Sequence, residues 1–211
     1  YILRWLPIGT HEWNKFLKPN EIHKKLEKLN FKNIETDGFN FNLFSQDYNI
    51  NIEKSNIKWT GKEITTSSHY GTLKFVGGDI NIQPEAVTGK VVVDMESLSV
   101  DDLTGGSKAR LEGHLRSDDF FSVSSHKSST IEVTSSKKNG DNYDVDGVLT
   151  IKGISHPISF VLSVDDKVAT SKLTFDRSKY DVRFRSGTFF ENLGDKLILD
   201  DIELEVELHL N

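Results

Sequence analysis

Ile202-Glu203-Leu204-Glu205-Val206-Glu207-Leu208-His209-Leu210 alternates apolar and polar residues without a break. Successive side chains of an extended strand point to opposite faces, so this stretch buries one face and wets the other. The same period of two recurs upstream. Val91, Val93 and Met95 alternate with Val92, Asp94 and Glu96. Tyr143, Val145, Leu149 and Ile151 alternate with Asp144, Asp146, Thr150 and Lys152. Ile158, Phe160, Leu162 and Val164 alternate with Ser159, Val161 and Ser163. Turn-forming clusters separate the runs: Gly77-Gly78-Asp79, Asn139-Gly140-Asp141 and Asp165-Asp166. Further strands are expected near Lys58-Trp59, Leu73–Phe75, Ile131–Val133 and Leu173–Phe175. The pattern predicts an all-β class. Antiparallel strands with one apolar face close into a barrel or stack as a sandwich. About eight strands form a barrel whose interior holds side chains or one small ligand.

The alternation stops between Met95 and Ile131. Leu103 through Phe121 carries Leu111, Leu115 and Phe120-Phe121 among Lys108, Arg110, Arg116, Asp118 and Asp119. That mixture predicts a short helix or two crossing one end of the strands.

Residues 1–46 have a different grammar and read as a small α-helical appendage, with the strand domain over 47–211. Ile22, Leu26 and Leu29 share one face of a helix expected over about residues 20–30. Asn20 suits the N-cap and Glu21 the positive helix start, and Lys24, Lys25 and Lys28 suit its other end. One such stripe cannot bury itself, and Trp5, Trp13, Phe16 and Phe31 also need a partner surface. Weak packing on the strand domain is expected, with proteolytic trimming near Ser45.

The 211 residues carry a net charge of −6, which disfavours nucleic acid as a partner. An apolar share of 36% is well above the disordered regime. There is no Cys, which excludes disulfides, thiolate nucleophiles and Cys-based metal sites. No apolar run approaches the roughly 20 residues of a transmembrane helix. The start, Tyr1-Ile2-Leu3-Arg4-Trp5-Leu6-Pro7, lacks an initiator Met and the basic leader and apolar core of a signal peptide. The chain is therefore expected to be processed or cut from something longer.

Catalytic and metal chemistry finds little anchorage. His11-Glu12 has no second His at metalloprotease spacing. The other imidazoles, at His23, His69, His114, His126, His156 and His209, are scattered, and three or four converging ligands cannot be assembled. His114 is expected to hydrogen-bond locally, with Asp118 or Asp119 capping a turn. Neighbours on a strand point oppositely, so neither Asp101-Asp102 nor Asp118-Asp119 is a catalytic pair by itself; both suit turns and helix starts. No Gly-x-Ser-x-Gly elbow exists, and no Gly-x-Gly-x-x-Gly follows a strand, so no cofactor is expected. Asp176-Arg177 with Tyr180 and Arg183 suits ion pairs bracing a turn; alternatively, Arg177 and Arg183 meet a polar or anionic head group at the mouth. Lys137-Lys138 marks a hairpin tip. Glu203, Glu205 and Glu207 give the last strand an acidic outer face, expected to keep it soluble and blunt edge pairing.

Several ordered motifs resemble one family. They are Trp59-Thr60-Gly61-Lys62 with His69-Tyr70-Gly71-Thr72-Leu73, then Gly113-His114-Leu115-Arg116-Ser117-Asp118-Asp119-Phe120-Phe121, then Gly147-Val148-Leu149-Thr150-Ile151-Lys152-Gly153-Ile154-Ser155-His156-Pro157-Ile158. Asp176-Arg177-Ser178-Lys179-Tyr180-Asp181-Val182-Arg183-Phe184 and Ser186-Gly187-Thr188-Phe189-Phe190-Glu191-Asn192-Leu193-Gly194-Asp195-Lys196 follow. Together they resemble YceI-like proteins, in the form found in Bacteroidetes, over nearly all of residues 50–211. His126-Lys127 departs locally from the family's usual Tyr-Pro. The resemblance implies an antiparallel lipocalin-like barrel with an elongated apolar interior, a polyisoprenoid or isoprenoid-quinone-like amphiphilic lipid as partner, and export to the periplasm. Without a signal peptide in this chain, a cytoplasmic location stays open, as does a homodimer.

Joined to the alternation, it implies an interior lined by Val91, Val93, Met95, Ile131, Val133, Tyr143, Val145, Leu149, Ile158, Phe160, Leu162, Leu173, Phe175, Leu204, Val206 and Leu208. Leu115, Phe120 and Phe121 would close or gate one end. The function expected is non-enzymatic lipid carriage. Periodicity alone also allows a filled core, hence an interaction or stress-response module.

The N-terminal segment resembles something else. Tyr1-Ile2-Leu3-Arg4-Trp5-Leu6-Pro7-Ile8-Gly9-Thr10-His11-Glu12-Trp13-Asn14-Lys15-Phe16, Pro19-Asn20-Glu21 and Gly38-Phe39-Asn40-Phe41-Asn42 are similar to the C-terminal tail of the ubiquinone-biosynthesis O-methyltransferase. The likeness covers about residues 1–44, and the cofactor-binding half of a methyltransferase is missing, so methyl transfer is not expected. A functional fusion and a chimeric reading frame both stay open.

Overall fold

A computed structural model of the chain describes residues 45–65 and 67–211, together with Lys24, Leu26, Lys28 and Leu29. Lys24, Leu26 and Lys28 are helical, and the Leu29 N–H donates to the Leu26 carbonyl at 3.0 Å. The rest of the helix expected over residues 20–30, and the N-terminal aromatics, lie outside the described residues. The chain divides into two units, Tyr1–Phe41 and Asn42–Asn211. The first strand of the second unit starts at Gln46.

Alternating residues form β1 (Gln46–Asn49), β2 (Asn56–Glu63), β3 (Ser68–Ile82), β4 (Val87–Asp94), β5 (Ser128–Asn139), β6 (Asn142–Ile151), β7 (Ile154–Asp165), β8 (Val168–Asp176) and β9 (Ile198–His209). One helix, α1 (Gly105–Arg116), lies between β4 and β5. The strand order is β1-β3-β2-β9-β8-β7-β6-β5-β4, and β3 also pairs with β4. That pairing closes β2 through β9 into an antiparallel barrel and leaves β1 as an extra strand. β3 is long enough to serve three partners. Its first half pairs with β2 (Ile57↔Leu73, Gly61↔His69), its later residues with β4 (Phe75↔Val93, Ile82↔Val87), and its last four with β1 (Gln46↔Ile82).

Two expectations need correction. Gly77-Gly78-Asp79 is not a turn but lies inside β3. A register shift between Phe75 and Gly77 bends the strand. A Cβ on Gly78 would stand 2.6 Å from the Lys90 carbonyl oxygen and 2.7 Å from Ile50 Cδ1. The glycine therefore serves close approach rather than chain reversal. The acidic face of β9 protects no edge either, because β9 is paired on both sides, to β2 and β8. Its carboxylates meet lysines instead: Glu203 pairs with Lys62, and Glu205 lies 3.6 Å from Lys58 and 3.0 Å from Lys172. Exposed pairs of this kind contribute about 0–1 kcal/mol each.

The two ends of the barrel differ. At one end short reversals join the strands, and Ile50, Ile80, Val87, Tyr143, Val145, Leu162, Ala169, Leu208 and Leu210 fill the interior as a buried core. At the other end two long connections cross, one carrying α1 and one running from Arg177 to Leu197. Arg177 pins the second connection. Its side chain is fully buried. The guanidinium donates to the carbonyls of Leu199, Val182, Phe184 and Ile198 at 3.0–3.3 Å. Asp200 stands 3.2 Å away as counter-ion and takes the Ser186 and Thr188 hydroxyls at 2.8 Å. Burial pulls the Arg177 pKa down, and Asp200 and Asp176 oppose it. The cation also faces the Phe120 ring at 5.3 Å, tying this connection to the segment after α1.

Arg177→Ala is expected to cost about 3–5 kcal/mol, because it strands a buried carboxylate and four carbonyls. Exposed Lys179→Ala should stay within about 0.5 kcal/mol. Urea unfolding of both variants checks the contrast, and equal stability would deny Arg177 its role.

Candidate ligand-binding site

The end that carries α1 is hollow. A cavity of about 410 Å³ opens there, within the size range of small-molecule sites. The inner faces of the strands supply its wall: Ile57 and Trp59 from β2, Leu73 from β3, Val93 from β4, Leu149 and Ile151 from β6, Phe175 from β8, and Ile198, Ile202 and Leu204 from β9. Met95, Leu98, Leu103, Leu111, Leu115, Phe120 and Phe121 roof it. Small residues on the inner face leave the space. Gly61 and Ser129 both line it, and a Cβ on Gly61 would meet only Ile202 Cδ1, at 3.5 Å.

The roof is fastened to the strands. Trp59 Nε1 donates to the Ser99 carbonyl at 3.0 Å. Gly71, opposite Trp59 in the register, makes this crossing feasible, because a Cβ there would sit 1.8 Å from the same oxygen. α1 is held on the crossing strap by Glu112, which accepts the Val100 N–H at 2.9 Å, and by Arg116, which donates to the Leu98 carbonyl.

Polar groups gather at the rim: Lys62, Glu63, His69, Ser107, Arg110 and Arg185. Besides Lys62, which pairs with Glu203, His69 has a built partner. Its Nδ1 lies 2.7 Å from Asp102 Oδ2, and the other carboxylate oxygen accepts the Tyr70 N–H at 3.1 Å. Burial pushes the Asp102 carboxyl up, but the His69 and Tyr70 hydrogen bonds outweigh it and hold the group below its ordinary value. His114 also lines the cavity, under the Phe184 ring at 4.3 Å and the Phe120 ring at 5.7 Å. Its Nε2 is buried without a partner, in contrast to the local hydrogen bond expected for it.

Of the residues expected to line the interior, Val93, Met95, Leu149, Phe175, Leu204, Leu115, Phe120 and Phe121 come together around the cavity. Val91, Tyr143, Val145, Leu162 and Leu208 face inward but belong to the packed core. Ile131, Val133, Ile158, Phe160 and Val206 are half-buried against that core, and Leu173 is half-buried outside the cavity wall. Arg177 and Arg183 do not line the cavity. Arg177 is buried in the brace described above, and Arg183 pairs with Asp181 at the surface beneath Phe189. Sequence reasoning missed Ile57, Trp59, Leu73 and Ile202 as wall residues. Register would have found them, since Trp59 lies opposite Leu204, and Ile202 opposite Phe175. His69 and Asp102 are 33 residues apart, and no local spacing links them.

Among the described residues no helix is long and apolar enough to cross a membrane, and no cluster of three or more His, Asp or Glu side chains is arranged to hold a metal ion. Comparison with known proteins bears on both parts of the chain. The UPF0312 protein of Pseudomonas aeruginosa is 29% identical over 172 residues, spanning 78% of this chain and 84% of that protein. The ubiquinone biosynthesis O-methyltransferase of Pelagibacter ubique is 44% identical over 55 residues, 26% of this chain. The chain spans only 23% of that methyltransferase's length. Among solved structures, Burkholderia cenocepacia BcnA superposes with a TM-score of 0.58 at 17% identity, covering 75% of this chain and 98% of BcnA. A polyisoprenoid binding domain from Saccharophagus degradans superposes with a TM-score of 0.52 at 14% identity, covering 78% of this chain and 97% of the domain. These likenesses show a shared lipocalin-like barrel. The model of the YceI-like domain matches residues 48–210, and the chain belongs to that family.

Proposed function

We propose that this protein is a non-enzymatic carrier that holds a polyisoprenoid or isoprenoid-quinone-like lipid in the cavity beneath α1. The observation that carries the reading is the cavity itself: about 410 Å³, walled mainly by aliphatic and aromatic side chains, with His114 and Ser129 the polar residues among them and the charged groups at the rim. A hydrocarbon chain makes no hydrogen-bonding demand, so a dry wall suits it. Burying a methylene contributes roughly 0.8 kcal/mol, so one five-carbon unit contributes about 3–4 kcal/mol gross, before ordering costs. The solved polyisoprenoid binding domain of the same fold supports the ligand class. Methyl transfer is not part of this reading, and residues 1–46 are taken as a separate appendage. Periplasmic residence belongs to the same proposal.

The full chain purified from bacteria is expected to release a stoichiometric isoprenoid quinone or polyprenyl lipid into an organic extract, identified by mass spectrometry. An empty extract, followed by no uptake of added quinone, would overturn the carrier reading.

A blocking variant locates the lipid. Gly61→Leu places an isobutyl group in the cavity, where the backbone leaves room for its first carbon. Displacing two methylenes of ligand corresponds to about tenfold in affinity. Uptake should fall by at least that factor with the melting temperature little changed. Undiminished uptake would put the lipid elsewhere.

A further inference from the structure

The rim carries one side chain arranged as a hydrogen-bonding tool. His69 sits on the inner face of β3, opposite Gly61 in the register, and its ring lines the cavity. Asp102 holds the other side of the imidazole at 2.7 Å. Asp102 is itself anchored by the Tyr70 N–H, and neighbouring Asp101 is fixed by the Thr72 hydroxyl at 3.1 Å and the Ser99 hydroxyl at 2.8 Å. An ionised carboxylate only accepts hydrogen bonds, so the neutral form of the His69 ring carries its proton on Nδ1. Nε2 is then left with a lone pair. A ring whose tautomer is set by a carboxylate is a directed acceptor rather than a loose polar group.

We propose that His69 Nε2, positioned by Asp102, accepts a hydrogen bond from a hydroxyl at the polar end of the ligand, and that the protein therefore prefers hydroxyl-bearing isoprenoids to their carbonyl counterparts. This rests on the carrier reading and adds the chemistry of the head group to it. A hydroxyl supplies the proton that the lone pair lacks. A carbonyl sets a second acceptor against it and leaves both unpaired. Losing the hydroxyl leaves the acceptor at this half-exposed rim without its donor, which costs about one hydrogen bond of affinity.

The test is competition binding on the full chain with two probes of equal tail, geranylgeraniol and geranylgeranial. Wild type should favour the alcohol by about tenfold, the ratio for one hydrogen bond of ordinary strength. His69→Phe should keep the tail affinity and bring the ratio close to one. Asp102→Asn should lower the ratio part of the way, and nitrogen-15 spectra of the His69 ring should show the proton moving off its fixed Nδ1 position. The side chain of His69 is 37% exposed, so its replacement leaves the core intact; unchanged melting temperatures check this. Equal binding of both probes by wild type, or a preference that survives His69→Phe, overturns the role of His69 alone. Binding of neither probe by wild type overturns the carrier reading with it.

Discussion

Closure of the sheet through β3 is the constraint on which everything else depends. One strand of 15 residues pairs with β2 at its start and with β4 at its end. No strand of the closed ring then has a free edge, and every inner-facing side chain is committed to a single enclosed space. Closure needs local help. The bend between Phe75 and Gly77 turns the strand, and Gly78 lets the backbone of β4 come close enough to pair. The alternation in each run then has a consequence it lacks in an open sheet: one face meets only itself.

What fills that space differs from end to end, and the connections set the difference. Tight reversals at the far end bring large side chains such as Tyr143, Leu162 and Leu208 into mutual contact, and the interior packs solid. At the near end the strap before α1 and the connection after Arg177 hold the walls apart instead of letting them collapse. Trp59, Glu112 and Arg116 bind the strap, and the buried Arg177 binds the second connection through backbone carbonyls. Small inner positions, Gly61 and Ser129, then become volume rather than defects. An apolar cavity this large costs stability unless something occupies it. That is the physical case for reading it as a binding site.

The sequence was legible where one face of a strand is buried. Strands β4, β6, β7 and β9 could be traced from alternation, because a one-residue slip would invert every side chain. It was less legible where glycine plays two parts: Gly140 makes a turn, whereas Gly78, in a similar cluster, makes a close approach. The wall of the site was only partly legible. Alternation says which residues face inward but not how deep they lie, so Val91, Tyr143 and Leu208 look like Val93, Leu149 and Leu204. Depth follows from register, which needs strand partners far apart in the chain. The same limit hides His69 and Asp102, and it leaves Arg177 open to either role until its burial is known.

The most direct test is a methyl NMR titration of the full chain with geranylgeraniol. Large shifts are expected at Leu149, Leu115 and Ile202, which line the near half, with small ones at Val87, Leu162 and Leu208 in the packed half. Shifts spread over the far end, or confined to exposed methyls such as Val76 and Val161, would contradict a lipid held beneath α1.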